Sequence, residues 1–492
     1  MLAGSRRSST SRAAERRLGS AFVWTLVAIT LIGFGIRVFY ILDDRAPLVH
    51  KHAATCSQEL QGDAIFYHCG AQLLADGKGF INPFDYDLRN HEVNEAAEHP
   101  PLYILYLWVP TVLGLRTPVE HMIWSAVLGA ATIVLVGLAG REIAGRRAGL
   151  IAAFFAAVYP NVFSHDGVLT SETMSIFTAT LSIWMAYRFW RAPSLWRAVA
   201  LAAAIGLGAM ARAELFVLVP FVLIPMVLAR RQVPWKRRLR WLGASALVLV
   251  VIIGPWVGFN NTRFRKPVFL GLGQGITLRS ATCDVTYGLN KDWDRNFGKL
   301  TGYWATKCVL GDFDKIRKRH LDQSEAETVY RNAAYRYMDK HGGHIFLFST
   351  NARVVLARWA RITGIWDLLH NFQQVDLDHF PEGREYWIAW GGLVMFYAFA
   401  LLSIVGVVVL RRRRIPVYPC VALFLMVFIV ITIMFGQNRY RASAETALCL
   451  LAAVGVDAIL ERWRARGRDT ADATPAGADR RAPELVTAKP GP

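Results

Sequence analysis

The chain has 492 residues, of which 54% are hydrophobic and only 19% charged, and its mean hydropathy is positive at +0.28. That composition excludes an ordinary soluble enzyme, for which this length would mean about three domains. The formal charge of +19 fits nucleic acid, anionic lipid or membrane orientation, and the positions of the cations decide between them.

In chain order, apolar runs long enough to cross a hydrocarbon layer of roughly 30 Å as helices fall at 21–41, 120–140, 147–164, 171–190, 196–212, 214–229, 241–259, 386–410, 416–435 and 442–460. The expectation is an all-α polytopic membrane protein of about ten transmembrane helices. Arg6, Arg7, Arg12, Arg16 and Arg17 place the N-terminus in the cytoplasm. No small-residue cleavage site follows the first span, which is therefore expected to stay in the mature protein. With that start, Arg141, Arg146 and Arg147, then Arg188, Arg191 and Arg197, then Arg230 to Arg240, Arg411 to Arg414 and Arg462 to Arg468 all fall inside. The basic excess is thus an orientation signal. It requires the short apolar stretch 101–114 to lie along the outer surface as a second interfacial helix.

The expected organisation is a basic cytoplasmic N-terminus at 1–20, a seven-helix catalytic module at 21–259 that includes the outer loop 42–119, and a large external loop or small domain at 260–385. A three-helix module at 386–460 and a disordered cytoplasmic tail at 461–492 follow. Cys56 and Cys69 share the first outer segment, Cys283 and Cys308 the second, and Cys420 and Cys449 lie in spans. Two disulfides suit an oxidising compartment, although four cysteines allow three pairings.

Charges in a bilayer centre are costly and usually functional, and the predicted spans carry none there. Arg37, Glu172, Arg212, Glu214, Arg439 and Arg441 instead lie at outer span ends, where Asp63, Glu98, His99 and Asp166 join them from outer loops. A transporter more often places ionisable groups near the midplane. Gln61 to Phe80 reads as an interfacial amphipathic helix headed by Asp63 and stopped by Gly77 and Gly79. As a plain N-cap, Asp63 would need no further role. Glu98-His-Pro-Pro-Leu-Tyr103 launches the other surface helix and turns His99 to the same surface. Glu172, Arg212-Ala-Glu214 and Arg439-Tyr-Arg441 each read, singly, as helix-dipole partners or interface anchors; their common location favours a site. His50, His52, His68, His91 and His99 lack zinc-site spacing and read as solvated surface residues. No phosphate loop or dinucleotide fingerprint is present, so no cofactor follows, and a divalent cation stays open.

Four motifs, Gly62-Asp63-Ala-x-x-Tyr67 with Gly77-Lys-Gly-Phe80, Glu98-His-Pro-Pro-Leu-Tyr103, Leu169-Thr-Ser-Glu172 and Gly208-Ala-Met-Ala-Arg212-Ala-Glu214, resemble those of integral-membrane glycosyltransferases of the GT-C class. The resemblance is to the group that includes protein O-mannosyltransferases and bacterial aminoarabinose transferases acting on lipid A. Asn438 to Glu445 is similar to the arginine-led ending of many bacterial members. The match covers 20–260 well and the final spans loosely. It implies a GT-C fold with two surface helices in the first outer loop, and a role for Asp63 in activating or positioning the acceptor. Ala64 follows Asp63 where many relatives have Asp-Glu, and the sugar-binding domains of eukaryotic protein mannosyltransferases are missing.

The expected function is transfer of a hexosyl or pentosyl group from a polyprenyl-phosphate carrier to an extracytoplasmic envelope acceptor, whether glycan, lipid or protein. The expected location is the plasma (inner) membrane, among membrane lipids and with no nucleic acid partner. Asp63 would accept the acceptor proton, Tyr67, Glu98, His99, Asp166, Glu172 and Glu214 would contact substrate, and Arg212, Arg439 and Arg441 would bind the phosphate. The rivals are a lipid or polysaccharide flippase and a noncatalytic envelope-assembly protein.

Overall fold

The computed structural model describes residues 9–49, 55–89, 91–289, 300–341, 350–369 and 385–472. His50 and His52 lie outside them. The described residues are built from helices, with one isolated β-bridge between Ile81 and Glu95.

Helix α1 (Ser9–Tyr40) leads into the first outer segment, which holds α2 (Asp63–Ala75), the short α3 (Pro83–Leu88) and α4 (Leu102–Val112). The bundle continues with α5 (Pro118–Ala144), α6 (Arg146–Val158), α7 (Pro160–Phe163), α8 (Glu172–Arg191), α9 (Leu195–Ala211), α10 (Ile224–Leu228) and α11 (Trp235–Arg263). The second outer segment contributes α12 (Gln274–Ser280), α13 (Asp284–Tyr287), α14 (Leu310–Lys318), α15 (Gln323–Lys340), α16 (Thr350–Thr363) and α17 (Ile365–Leu369). Three long helices close the chain: α18 (Tyr386–Arg412), α19 (Tyr418–Ile433) and α20 (Ala442–Asp472).

Each predicted span falls on helix, but the spans are not uniform. Ser20–Leu48, Pro118–Ala144, Trp235–Arg263, Tyr386–Arg412 and Asn438–Arg466 are each long and apolar enough to cross a membrane. The protein is a multi-pass membrane protein. The span expected straight over 147–164 is broken: α6 and the segment Pro160–Gly167 meet at 68°. Pro160 has no amide hydrogen to continue the ladder and forces Tyr159 into an extended conformation. The span expected at 214–229 is likewise irregular, passing from a 3-10 turn to a π turn to α10 around Pro220 and Pro225. At the far end α20 runs to Asp472, well past the expected boundary at 460. Residues 473–492 of the expected tail lie outside the described residues.

The bundle is polar at its two ends. At one end Arg147 joins Asp457 and, at 3.1 Å, Glu461; Arg413 reaches Glu461 at 3.0 Å and Arg191 reaches Glu142 at 3.2 Å. These are residues assigned above to the inner side. Between the ends, α18 and α20 cross at Gly406 and Gly455. A Cβ at Gly406 would sit 2.0 Å from the Leu451 carbonyl oxygen, and one at Gly455 would sit 2.3 Å from that of Leu402. Small residues at such a crossing let two backbones pack directly where the hydrophobic effect gives no drive.

Helix α2 is not the amphipathic surface helix expected. Ala64 through Ala71 are buried without a break, packed with Tyr103, Ile104 and Leu107 of α4 and with residues of the bundle such as Met122, Leu169 and Ala211. Cys56 is bonded to Cys69 and Cys283 to Cys308; the first of these bonds ties the preceding loop to α2.

Candidate functional site

At the other end of the bundle, Gly62 opens α2 with a φ of +59°, a conformation that favours glycine. Gly62 occupies the cap position, so Asp63 is the first helical residue and its carboxylate caps no backbone amide. It bonds instead to Arg439. Arg439 is carried by the 3-10 turn Asn438–Arg441 that leads into α20, and its Nε lies 3.4 Å from Glu172 Oε1. Glu172, buried at the first turn of α8, also receives Arg212 from the end of α9, and Arg212 in turn holds Glu214. The Tyr440 ring lies beneath both guanidinium groups, at 5.4 Å from Arg212 and 5.9 Å from Arg439. Side chains from five elements, the last being Glu214 on the 3-10 turn Ala213–Val217, thus form one run of alternating charge. It has three carboxylates and two cations, and Asp63, 31% exposed, is its open end.

Burial pushes the Asp63 carboxyl up, but the Arg439 charge, His99 and the Arg439 hydrogen bond outweigh it and hold Asp63 below the usual carboxylate range. Beside it, His99 stacks on Tyr67 at 5.0 Å and meets Phe66 edge-on at 5.1 Å, and its buried Nε2 has no hydrogen-bond partner among the described residues. Burial lowers the His99 pKa against the pull of Asp63, and Arg212 and Arg439 lower it further. Glu98 is pushed up to about 7 by burial and by the charges of Asp63 and Glu327. Glu327 itself rises to about 7 through burial, against the amide of Gly275, which donates to both its oxygens at 2.7 and 2.8 Å.

Glu327 was invisible in the sequence as a neighbour of Glu98, since nothing near it on α15 is unusual. The signal that might have found it is Gly271-Leu-Gly-Gln-Gly275, which reads in isolation as a loop. In the structure the Leu272 amide donates to the Ala97 carbonyl at 2.8 Å and the Gly273 amide to that of Glu98 at 3.1 Å. A Cβ at Gly271 would lie 2.9 Å from the Glu98 carbonyl oxygen. The glycines therefore let the second outer segment pack directly on the strip that carries Glu98 and His99.

Two expected members lie apart. Asp166 forms a separate buried pair with Arg37 at 2.8 Å and accepts from Thr173 at 2.9 Å. Arg441 turns away from Asp63 to Glu445 and the Ile362 carbonyl, with its guanidinium 3.6 Å from the centre of the Phe396 ring. One residue separates it from Arg439, and on a tight turn that suffices to send the two side chains in opposite directions. His68 is no solvated residue: it is fully buried, 2.9 Å from His121 through their Nδ1 atoms, and 2.9 Å from Gln72. His91 is exposed, as expected. Among the described residues Cys56, Glu59 and His68 bring ligand atoms within metal-binding reach, but Cys56 Sγ is spent in its disulfide and offers no thiolate.

Residues 98–257 match the family of dolichyl-phosphate-mannose-protein mannosyltransferases. The fold is similar to that of the oligosaccharyltransferase AglB of Archaeoglobus fulgidus, solved with an inhibitory peptide and a dolichol-phosphate, at 15% identity and a TM-score of 0.50 over 93% of this chain. The chain has a fold of the GT-C type. The chain spans about half of AglB, 52% of its length. It also aligns with ArnT of Cupriavidus metallidurans bound to undecaprenyl phosphate, at 15% identity and a TM-score of 0.42, over 89% of this chain and 78% of that one. No curated protein matches it in sequence. The matched family segment contains Glu98, His99, Asp166, Glu172, Arg212 and Glu214, while Asp63, Tyr67, Arg439 and Arg441 lie outside it.

Proposed function

We propose that this GT-C chain transfers a sugar from a polyprenyl-phosphate carrier to an acceptor of the cell envelope, at the extracytoplasmic face of the plasma membrane. The observation that carries this reading is the partly open Asp63 carboxylate set against Arg439, with Arg212 behind it through Glu172, at one end of the helix bundle. An acceptor hydroxyl oxygen attacks the anomeric carbon, the bond from that carbon to the carrier phosphate breaks, and the phosphate leaves with the electron pair. The acceptor proton passes to Asp63. Arg439 and Arg212 stabilise the charge that builds on the departing phosphate through charge-assisted hydrogen bonds.

Asp63 and the donor phosphate want the same guanidinium. An arriving phosphate shares Arg439, loosens its hold on Asp63 and raises the proton affinity of the base as the site fills. Tyr67, Glu98 and His99 border Asp63 and form the wall for sugar or acceptor, with the unpartnered His99 Nε2 available to a hydroxyl. Glu172 and Glu214 position the two arginines, and Arg37–Asp166 and Arg441–Glu445 hold the helix ends around them.

A lipid-phosphate donor also follows from topology. Sugar nucleotides are made in the cytoplasm, whereas the polar run lies at the bundle end opposite the residues assigned inside, so the sugar must come on a carrier that can be turned across the bilayer. The dolichol-phosphate of the AglB structure supports that donor class by analogy of fold. The test supplies purified protein with a polyprenyl-phosphate sugar or with the corresponding sugar nucleotide, together with an envelope acceptor fraction. Transfer from the lipid-linked sugar alone is expected; efficient transfer from the nucleotide alone would overturn the proposal.

A further inference from the structure

Helices α16 and α17 belong to the segment expected to be external, yet their polarity is inverted. Arg358, Arg361 and Asp367 are buried, while the exposed positions among the described residues of the two helices are Leu356, Trp359, Ile365, Leu368, Leu369 and one cation, Arg353. Leu356 and Leu369 are 62% and 70% exposed. A water-facing helix puts its apolar stripe inward and its charges outward. Here the order is reversed, and a contiguous apolar face of this kind marks an interaction surface.

Three contacts fix where that face lies. Trp359 Nε1 donates to Thr432 Oγ1 at 2.9 Å and its ring meets Phe428 edge-on at 5.8 Å, beside the exposed stripe Val421, Leu425, Ile429 and Ile433 of α19. Arg358 donates to the carbonyls of Thr432 at 2.8 Å and Ile433 at 3.2 Å, which are among the last of α19 and have no helical partner of their own. Between α16 and α17, Gly364 presses on α18: a Cβ there would lie 2.5 Å from Leu393 and 3.2 Å from the Tyr397 hydroxyl. Leu393 is two turns below the outer end of α18, a depth of about 10 Å at the helical rise.

We propose that α16 and α17 lie in the outer leaflet of the membrane that the protein spans, with phospholipid acyl chains against Leu356, Ile365, Leu368 and Leu369. The apolar face continues the lipid-facing surface of α19. Trp359 takes the interfacial level that suits an amphipathic ring, and Arg353 extends to the headgroups. The buried Arg358 is then explained as well. The end of a helix immersed at the edge of hydrocarbon needs its carbonyls satisfied from within the protein, and Arg358 supplies the donors. The same helix brackets the turn that bears Arg439, through Arg358 packed on Gly436 and the Ile362 carbonyl bonded to Arg441. The bilayer thus seats one wall of the candidate site.

This inference does not depend on which reaction the site performs, and its test needs no substrate. The full-length protein is placed in nanodiscs of phosphatidylcholine and phosphatidylglycerol, with spin labels on Leu356→Cys, Leu369→Cys and, for comparison, Arg336→Cys on the exposed face of α15. Collision with dissolved oxygen should exceed collision with a water-soluble nickel chelate at 356 and 369, and the order should reverse at 336. If 356 and 369 behave like 336, or are shielded from both reagents as under a second copy of the chain, the proposal fails. A measurement on unsubstituted protein guards against a misfolded variant. A photoactivatable phosphatidylcholine should give adducts within 350–369 as it does within 421–433, and adducts confined to 421–433 would overturn the proposal.

Discussion

Asp63 and Arg439 touch, so single substitutions at either disturb both, and kinetics separate their roles. Asp63→Asn keeps the shape and removes the base; transfer should fall by about 10²- to 10⁴-fold while donor affinity holds or rises, because Arg439 no longer divides its charge between a carboxylate and the phosphate. Arg439→Gln removes a charge-assisted contact of about 1.5 to 3 kcal/mol, and should weaken donor binding roughly 10- to 150-fold. Steady-state transfer with varied polyprenyl-phosphate sugar distinguishes the two, and wild-type turnover in Asp63→Asn would remove the base from the mechanism. Glu98 offers a pH test. Its ordinary value is 4.5 and its folded value about 7, so the folded protein binds the extra proton between those values and this contribution to stability is lost as pH rises through them. Glu327 acts in the same sense. The melting temperature followed by intrinsic fluorescence in detergent should therefore fall from pH 5 to pH 8, and fall less steeply in Glu98→Gln, which is neutral throughout. In the sequence, Asp63, Glu98 and His99 were legible as neighbours because proline and glycine fix the ends of their helices. The pairing of Asp63 with a residue 376 positions away was not, since it depends on how α20 returns to the first outer loop. The opposite fates of Arg439 and Arg441 turn on the geometry of one 3-10 turn, which no local pattern encodes.

Among the helices, apolar length found helix at every expected position, but not its shape. Composition alone makes 147–164 and 214–229 look like ordinary crossings; the prolines at 160, 220 and 225 break them, and two of those prolines sit where a reader looking for hydropathy sees only another apolar residue. Helix α2 was legible as a helix and misjudged as a surface, because it shares one buried cluster with α4 and with bundle residues as distant as Leu169, Ala211 and Ile388. Close crossings are the least legible feature of all. Gly406 and Gly455 are unremarkable in apolar runs, yet each Cβ would enter the backbone of the partner helix. Gly406→Leu should force α18 and α20 apart and cost at least the 1 to 3 kcal/mol typical of overpacking. Fluorescence-detected chromatography after a heating series should show an earlier loss of the monodisperse peak, whereas Gly243→Leu, at a position on α11 with open space around it, should leave the peak where it is.

At the scale of the whole molecule, the helices keep two sets of charged residues at opposite ends. The residues assigned inside, Arg147, Arg191 and Arg413, gather with Glu142, Asp457 and Glu461 at one end, and the run from Asp63 to Glu214 gathers at the other. A single misplaced span between α1 and α11 would have mixed the two sets, since each crossing inverts the side of everything after it. Treating 101–114 as a span would have done so, and α4, only 11 residues long, reaches about half of a 30 Å hydrocarbon layer at the helical rise. A bundle with both ends exchanged has the same internal geometry, so the orientation is read by labelling from one side. Membrane-impermeant labelling of single cysteines should reach Arg265→Cys and Asp322→Cys in intact cells, and should reach Arg412→Cys and Arg466→Cys only after the membrane is opened. The reverse pattern would put Asp63 on the cytoplasmic side, where sugar nucleotides are made, and with it would go the physical reason for a lipid-borne donor.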